Sequence, residues 1–168
     1  LQFLIDQRDS DIYTREGHYL LLESLHYHTL LGSQMNANTY LLDQRLFIPT
    51  GPQGIIAGQF YLHLTTGHVP LHLLPELGGS ELMRGFFQGR FIDNAYFSGQ
   101  IEYRHLFNSV IGMTSFISIG TVAPNLRHLF SAPLKLSAGV GLRISLDPED
   151  QLNLRIDLAF AEEDSSLY

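Results

Sequence analysis

The amino-acid sequence predicts an all-β fold: an antiparallel transmembrane β-barrel with about eight strands in this chain and one long inward-folding loop. Three observations predict it. Apolar residues alternate with polar or small residues in successive segments, which is the period of a strand with two unlike faces. The connections between these segments are short and long in turn. Charged side chains collect on one of the two faces.

The first half of the chain contains the first four predicted strands. In the third, Leu46 and Ile48 alternate with Arg45, and in the fourth, Phe60 and Leu62 alternate with His63. The second is rich in leucine and tyrosine but alternates weakly. The four predicted strands cover residues 1–8, 18–30, 35–48 and 55–66.

The second half alternates more clearly, and its last two strands form the best-defined hairpin. Leu142 and Ile144 lie on one face, with Arg143 and Ser145 on the other. Residues 147–150 read Asp-Pro-Glu-Asp, which suits a tight turn because proline presets φ and aspartate caps the turn. The four predicted strands cover residues 95–107, 110–121, 134–146 and 151–160.

The lengths of the connections favour an up-and-down barrel. Connections 49–53, 108–109 and 147–150 are short, whereas 70–94 and 124–133 are long and fall at alternate positions. Such a chain places tight turns at one end of the barrel and long loops at the other. This asymmetry is typical of outer-membrane barrels.

Composition favours a membrane barrel over the alternative, a soluble antiparallel barrel such as a ligand-binding cup. The apolar faces of the strands are nearly free of charge, and Lys135 is the single lysine, whereas a soluble barrel exposes lysine and glutamate. No apolar run approaches the ~18 residues of a membrane-spanning helix. The formal net charge of −7 argues against nucleic-acid binding.

No metal, cofactor or catalytic site is predicted. His26 and His28 are two residues apart and could share a strand face, but no third ligand follows at a spacing typical of zinc sites. The chain has no cysteine and no Gly-x-Ser-x-Gly elbow, and no loop is suited to cradle a phosphate. A hydrolase site assembled from separate strands stays open as an alternative, because such sites are recognised by geometry.

The loop over residues 70–94 is 25 residues long, and loops of this length are often functional. Its middle is rich in apolar residues, which predicts that it folds inward and packs. These apolar residues are Leu82, Met83, Phe86, Phe87 and Phe91. Arg84, beside the flexible Gly85, is then expected to reach Glu102 on the polar face of the next strand and to form charge-assisted hydrogen bonds.

The loop carries a pair of glycines followed by a short motif. Together they resemble the signature of the bacterial outer-membrane assembly and translocation superfamily of the BamA/TamA type, also called the bacterial surface antigen family. The family has Val-Arg-Gly-Phe or Val-Arg-Gly-Tyr on a long loop inside the barrel, so methionine replaces valine here. The matching residues are Gly78, Gly79, Met83, Arg84, Gly85 and Phe86.

The resemblance also implies lumenal partners for the loop motif. Glu102 stands where the family has a strand carboxylate that faces the loop arginine. Phe116 and Gly120 match the family's Phe-x-Asp-x-Gly strand motif, but Ser118 stands where the family has aspartate. The resemblance therefore implies that Arg84 relies on Glu102 alone.

Residues 8–17, 135–143 and 155–160 resemble further turns and strands of the family, so the likeness covers nearly the whole chain. It implies a single domain over residues 1–168, either a complete small barrel or the C-terminal half of a sixteen-stranded one. The interior of a closed eight-stranded barrel is just filled by side chains. Such a barrel leaves little space for an inward loop of 25 residues, which favours a larger or multichain barrel, or a loop that stays outside and covers the barrel mouth.

The resemblance implies a location in the outer membrane of a Gram-negative bacterium. The leading hypothesis is a non-enzymatic role in the insertion or translocation of outer-membrane proteins. The implied partners are outer-membrane lipids, client outer-membrane proteins, and a second copy or other subunits of a complex. One alternative is a structural or anchoring barrel subunit without insertase activity, and another is a lipid-processing barrel enzyme.

Overall fold

A computed structural model describes residues 1–11, 13–147, 152–161 and 164–167 of the chain. Over these residues, nine strands form one antiparallel sheet, and two very short strands form a separate hairpin within the long loop. The strands are β1 (Gln2–Asp6), β2 (Gly17–Tyr27), β3 (Ala37–Pro49), β4 (Gly54–Gly67), β5 (Glu76–Leu77), β6 (Phe91–Ile92), β7 (Ala95–Leu106), β8 (Ile111–Ala123), β9 (Lys135–Asp147), β10 (Leu152–Ala161) and β11 (Asp164–Leu167).

The observed strands confirm the predicted all-β antiparallel fold. Each of the eight predicted segments contains a strand of the large sheet, and β11 adds a short ninth strand. Of the predicted turn over residues 147–150, Asp147 ends β9 and the rest lies outside the described residues. Within the described ranges, no helix is both long enough and apolar enough to cross a membrane.

The strands of the large sheet follow one another in chain order, with the long loop as the one excursion. β4 pairs directly with β7, so the chain leaves the sheet after Gly67 and returns beside the same strand, where Leu64 lies opposite Ala95. Among the described residues, β1 and β11 each have one neighbour and do not pair with each other. The sheet is therefore open over the part of the chain that the structure describes.

The two faces of the sheet have the polarity of a membrane barrel. We call the face covered by the long loop the inner face and the opposite face the outer face. Ile101 is 59% exposed and Phe160 is 61% exposed on the outer face. On the inner face, Glu102 is 5% exposed and Asp157 is 0% exposed. Apolar groups thus face outward and charged groups inward, which suits strands surrounded by lipid.

The long loop lies on the inner face, as predicted, and forms the largest apolar cluster there. Leu77, Met83 and Phe86 from the loop pack with Tyr96 of β7, and neighbouring apolar side chains of the loop and sheet surround them. Of the five apolar residues on which this prediction rests, Phe87 is 75% exposed. Its neighbour Phe86 is 1% exposed, so the two adjacent phenylalanines have different surroundings.

Strand β9 brings glycine to a crowded position on the inner face. A Cβ atom at Gly139 would overlap both the carbonyl oxygen of Leu158 and the ring of Phe116. On the outer face of β4, by contrast, a Cβ atom at Gly58 would meet nothing within 4 Å. Only the first of these glycines is therefore required by packing.

We expect Gly139→Ala to destabilise the folded sheet by about 1–3 kcal/mol, because the added methyl group forces the Phe116 ring or the neighbouring strand to move. The measurement is the temperature at which the compact band of the unheated protein disappears on a denaturing gel. Gly58→Ala is the matched control and should keep the wild-type temperature. Equal temperatures for the two variants would contradict the packing argument.

Candidate functional site

Arg84 lies in a tight turn at the deepest point of the long loop. Met83 has a φ of 53° and Gly85 a φ of 110°, and the backbone N–H of Phe86 donates to the carbonyl oxygen of Met83 at 3.2 Å. Glycine at position 85 meets the requirement for positive φ without strain. The turn directs the Arg84 side chain onto the sheet, where the residue is 1% exposed.

The glycine pair that precedes the motif has a packing role. The backbone N–H of Gly79 donates to the carbonyl oxygen of Phe86 at 3.1 Å, which ties the two sides of the loop together. A Cβ atom at Gly78 would lie 2.7 Å from the carbonyl oxygens of both Phe86 and Phe87. Glycine is therefore needed at position 78 for the close approach of two backbone segments.

The guanidinium group of Arg84 lies between two carboxylates and an aromatic ring. Nη2 donates to Oε2 of Glu102 on β7, and Nη1 donates to Oδ2 of Asp157 on β10 at 2.6 Å. The guanidinium carbon is 3.5 Å from the centre of the Phe116 ring on β8. We call these four residues the arginine clamp.

The structure brings Arg84 and Glu102 together and adds a partner that the sequence analysis missed. The expectation that Arg84 relies on Glu102 alone is wrong, because Asp157 supplies a second carboxylate. Ser118 is buried on the inner face, and its hydroxyl donates to Oε1 of Gln100 at 3.0 Å instead of contacting Arg84. A charged residue in the middle of a strand was the one sequence signal for Asp157.

A second set of arginines surrounds the carboxylates of the clamp. Arg104 donates through Nε to Oε1 of Glu102 at 2.6 Å, and Arg143 donates through Nη1 to Oδ1 of Asp157. Arg155 lies 3.2 Å from Glu81 of the loop and also donates to the carbonyl oxygen of Ser80. Strand β10 thus holds the loop both through Asp157 and through Arg155.

Small residues on the neighbouring strands make room for the clamp. A Cβ atom at Gly141 would overlap Oδ1 of Asp157 and lie 2.6 Å from Nη1 of Arg143. At Gly120 it would lie 2.9 Å from the sulfur of Met83. The predicted lumenal residue Gly120 therefore contributes space, through which the loop can approach β8.

A polar cavity of about 200 Å³ adjoins the clamp on the inner face. Its charged lining residues are already paired within the protein; Arg45, for example, lies 2.6 Å from Asp43. The residues that line the cavity include Arg45, Gln59, Glu81, Arg84, Gln100, Glu102, Arg104, Arg143 and Arg155. The arrangement can hold water and fix a loop by charge-assisted hydrogen bonds.

The histidines do not form a metal site among the described residues. No group of three histidine, cysteine, aspartate or glutamate residues comes together there. His26 lies on β2, but His28 lies beyond the end of that strand, where its Nδ1 accepts a hydrogen bond from the backbone N–H of Leu30 at 3.2 Å. The two side chains that the sequence analysis placed on one face thus have separate partners.

Comparison with solved structures identifies a similar fold. The crystal structure of BamA from Haemophilus ducreyi lacking POTRA domains 1–3 matches 99% of this chain with a TM-score of 0.75 and 16% sequence identity. The chain spans about 40% of the length of that BamA chain. At this level of identity, the likeness shows the fold alone. No curated protein sequence matches the chain significantly.

Comparison with protein families gives a match over almost all of the sequence. The model described as the Omp85 superfamily domain matches residues 1–166. This match agrees with the antiparallel sheet, its apolar outer face and the loop held on its inner face. The chain is a β-barrel protein of the bacterial outer membrane and belongs to the Omp85 superfamily.

Proposed function

We propose that the chain acts in the insertion or translocation of outer-membrane proteins, as the loop-bearing part of a barrel larger than the strands described here. Family membership and the BamA-like fold support this role. The open sheet and the space taken by the inward loop support the larger barrel. The role needs no bond chemistry, because the protein serves as a scaffold for client strands.

The observation that carries the proposal is the arginine clamp. Arg84 and Asp157 are 1% and 0% exposed, so both charges have lost nearly all contact with solvent. Removing one partner of such a buried pair typically costs about 3–5 kcal/mol, since the other charge stays buried and unpaired. The clamp therefore holds the loop at one depth, against strands β7, β8 and β10.

The apolar outer face and the strand edges of the larger barrel supply the surfaces that this role needs. An unpaired strand edge offers backbone N–H and C=O groups to an incoming strand, so β-augmentation gives a physical route for a client. The apolar outer face contacts the membrane lipids. Client outer-membrane proteins, and a second copy or another subunit, are the protein partners that we propose.

A second candidate is an anchoring barrel subunit without insertase activity. Ser118 favours it, because its hydroxyl bonds to Gln100 and the carboxylate expected there from the family pattern is missing. In this case the clamp would still stabilise the barrel. The two candidates differ in whether the protein accelerates the membrane insertion of a client.

We expect Arg84→Ala to release the loop from the inner face. Because the chain has no cysteine, Leu82→Cys gives a single thiol at a loop residue that packs against the apolar cluster. Its reaction with a maleimide should be at least about ten-fold faster in the Arg84→Ala background, since breaking the buried pair populates open states. The exposed Arg127→Ala is the charge-matched control. Equal rates in the two backgrounds would count against the clamp.

We expect Asp157→Asn to loosen the same loop, and Ser118→Asp to restore part of its protection. Ser118 is two residues from Phe116 on the inner face of β8, so a carboxylate there lies one step along the strand from the ring that faces Arg84. The thiol reaction of Leu82→Cys is again the measurement. The idea of a second carboxylate anchor fails if Asp157→Asn alone leaves the labelling rate unchanged.

The proposed function predicts that the full barrel containing this chain, reconstituted in liposomes, accelerates the membrane insertion of an unfolded client β-barrel. The measurement is the appearance of the client's compact band on an unheated gel. Arg84→Ala should slow this reaction toward the rate of empty liposomes, whereas Arg127→Ala should not. If the wild-type protein gives the rate of empty liposomes, the insertase role is wrong and the anchoring subunit replaces it.

A further inference from the structure

A hydrogen-bonded series of side chains lies on the outer face of the sheet, on the opposite side from the arginine clamp. Oγ of Ser24 is 2.6 Å from Nε2 of His26, and Nδ1 of His26 is 2.7 Å from Oδ1 of Asn38. Nδ2 of Asn38 donates to Oγ1 of Thr66 at 3.2 Å. A serine hydroxyl, a histidine and an acceptor that orients the histidine constitute the arrangement of an activated nucleophile.

The register of three strands holds these side chains in place. Ser24 and His26 are two residues apart on β2, so they share one face of that strand. His26 lies directly opposite Asn38 on β3, and Asn38 lies directly opposite Thr66 on β4. The site is therefore built on paired strands, which hold a catalytic geometry more accurately than loops do.

The hydrogen bonds also determine how the histidine can act. Because the Asn38 amide nitrogen donates to Thr66, its oxygen faces His26 and accepts a hydrogen bond from Nδ1–H. Nε2 of the neutral ring then has a free lone pair and accepts the hydrogen bond from the Ser24 hydroxyl. This is the tautomer that a general base needs to take a proton from serine.

An open apolar groove of about 330 Å³ lies on the outer face, and Ser24 is one of its lining residues. Eight of its ten lining residues are aliphatic or aromatic. The lining residues are Leu1, Phe3, Leu22, Glu23, Ser24, Tyr40, Leu41, Leu42, Leu62 and Leu64. In the outer membrane this face contacts lipid, so the occupant that fits the groove is an acyl chain.

We infer that Ser24, His26 and Asn38 form a catalytic triad that hydrolyses the carboxylic esters of acyl lipids. This activity goes beyond the proposed function and does not depend on it. Asn38 orients the histidine, Ser24 is the nucleophile and His26 is the general base and acid. The acyl chain of the substrate lies in the groove, and its ester carbonyl lies at Ser24.

The reaction proceeds by two acyl transfers. Ser24 Oγ forms a bond to the ester carbonyl carbon while its proton passes to His26 Nε2. The bond between this carbon and the alkoxy oxygen then breaks, His26 returns the proton to the leaving alkoxide, and an acyl ester stays on Ser24. Water attacks that ester with His26 as base, so the fatty acid leaves and Ser24 regains its hydrogen.

Hydrolysis of p-nitrophenyl decanoate by the full chain, folded in detergent, tests the triad. We expect wild-type hydrolysis to exceed that of Ser24→Ala by at least about 100-fold, since the nucleophile is lost. The groove predicts that kcat/KM for the decanoate exceeds that for p-nitrophenyl acetate by at least about ten-fold. Ser115→Ala, at a half-buried serine on the outer face of β8, is the matched control and should hydrolyse at the wild-type rate.

A fluorophosphonate probe with mass spectrometry gives a second readout that does not depend on turnover. An adduct on Ser24 that is lost in His26→Asn and weakened in Asn38→Leu supports the triad. A network with a structural role alone would give no adduct. The absence of both an adduct and hydrolysis above the Ser24→Ala level in the folded wild-type protein would overturn the assignment.

Folding of each variant is checked by the gel shift on heating, so that loss of activity is not confused with loss of structure. Hydrolysis and client insertion are measured on the same preparation. Hydrolysis without insertion overturns the proposed function and supports the triad. Insertion without hydrolysis or probe labelling supports the proposed function and overturns the triad.

Discussion

The burial of one positive charge, on Arg84, is the constraint on which the arrangement of the inner face depends. An unpaired guanidinium in this position would cost several kcal/mol, so the fold must bring carboxylates to it. Those carboxylates come from β7 and β10, and the strands between them must leave space for them to converge. Phe116 covers the guanidinium from β8, while β9 passes beneath with Gly139 and Gly141. The position of the loop, the order of the strands and the placement of the glycines thus all serve to pair the buried guanidinium group with carboxylates.

The surrounding lipid imposes a different requirement on the outer face. Water is scarce on such a face, so a polar group there is stabilised by a partner within the protein. Ser24, His26, Asn38 and Thr66 meet this requirement by bonding to one another across three strands. The same network that satisfies them also prepares a histidine lone pair beside a serine hydroxyl. An outer face in contact with lipid therefore favours polar side chains that are hydrogen-bonded to one another. Such a network can place reactive groups side by side.

The strands of the sheet could be predicted from the sequence because alternation is a local property. The long loop was recognisable for a similar reason, since Gly78 and Gly79 and the apolar residues after them are close in the chain. Glu102 is 18 residues from Arg84 and lies on the polar face of the next long strand. Its pairing with Arg84 could therefore be predicted. Local pattern was misleading for Phe87, because the apolar character of a loop residue does not show whether its side chain faces the sheet.

Other contacts could not be predicted, because they depend on register and curvature. Asp157 is 73 residues from Arg84, and it meets the guanidinium only because the sheet curves and β9 has glycine at the crossing. The approach of Asn38 to His26 depends on the register between β2 and β3. The weak alternation of the second predicted strand hid that register. In both cases the residue types were visible and their pairing was not.

The separation of the clamp residues along the chain also determines an order of assembly. Pairing between neighbouring strands closes short loops, so the β2–β3 and β7–β8 hairpins can form early and independently. The clamp, in contrast, joins Arg84 to a strand near the end of the described sheet. It can close only after β10 has taken its place. The position of the loop therefore depends on the completed sheet. Until β10 is in place, Arg84 lacks the Asp157 carboxylate and the clamp cannot hold the loop on the inner face.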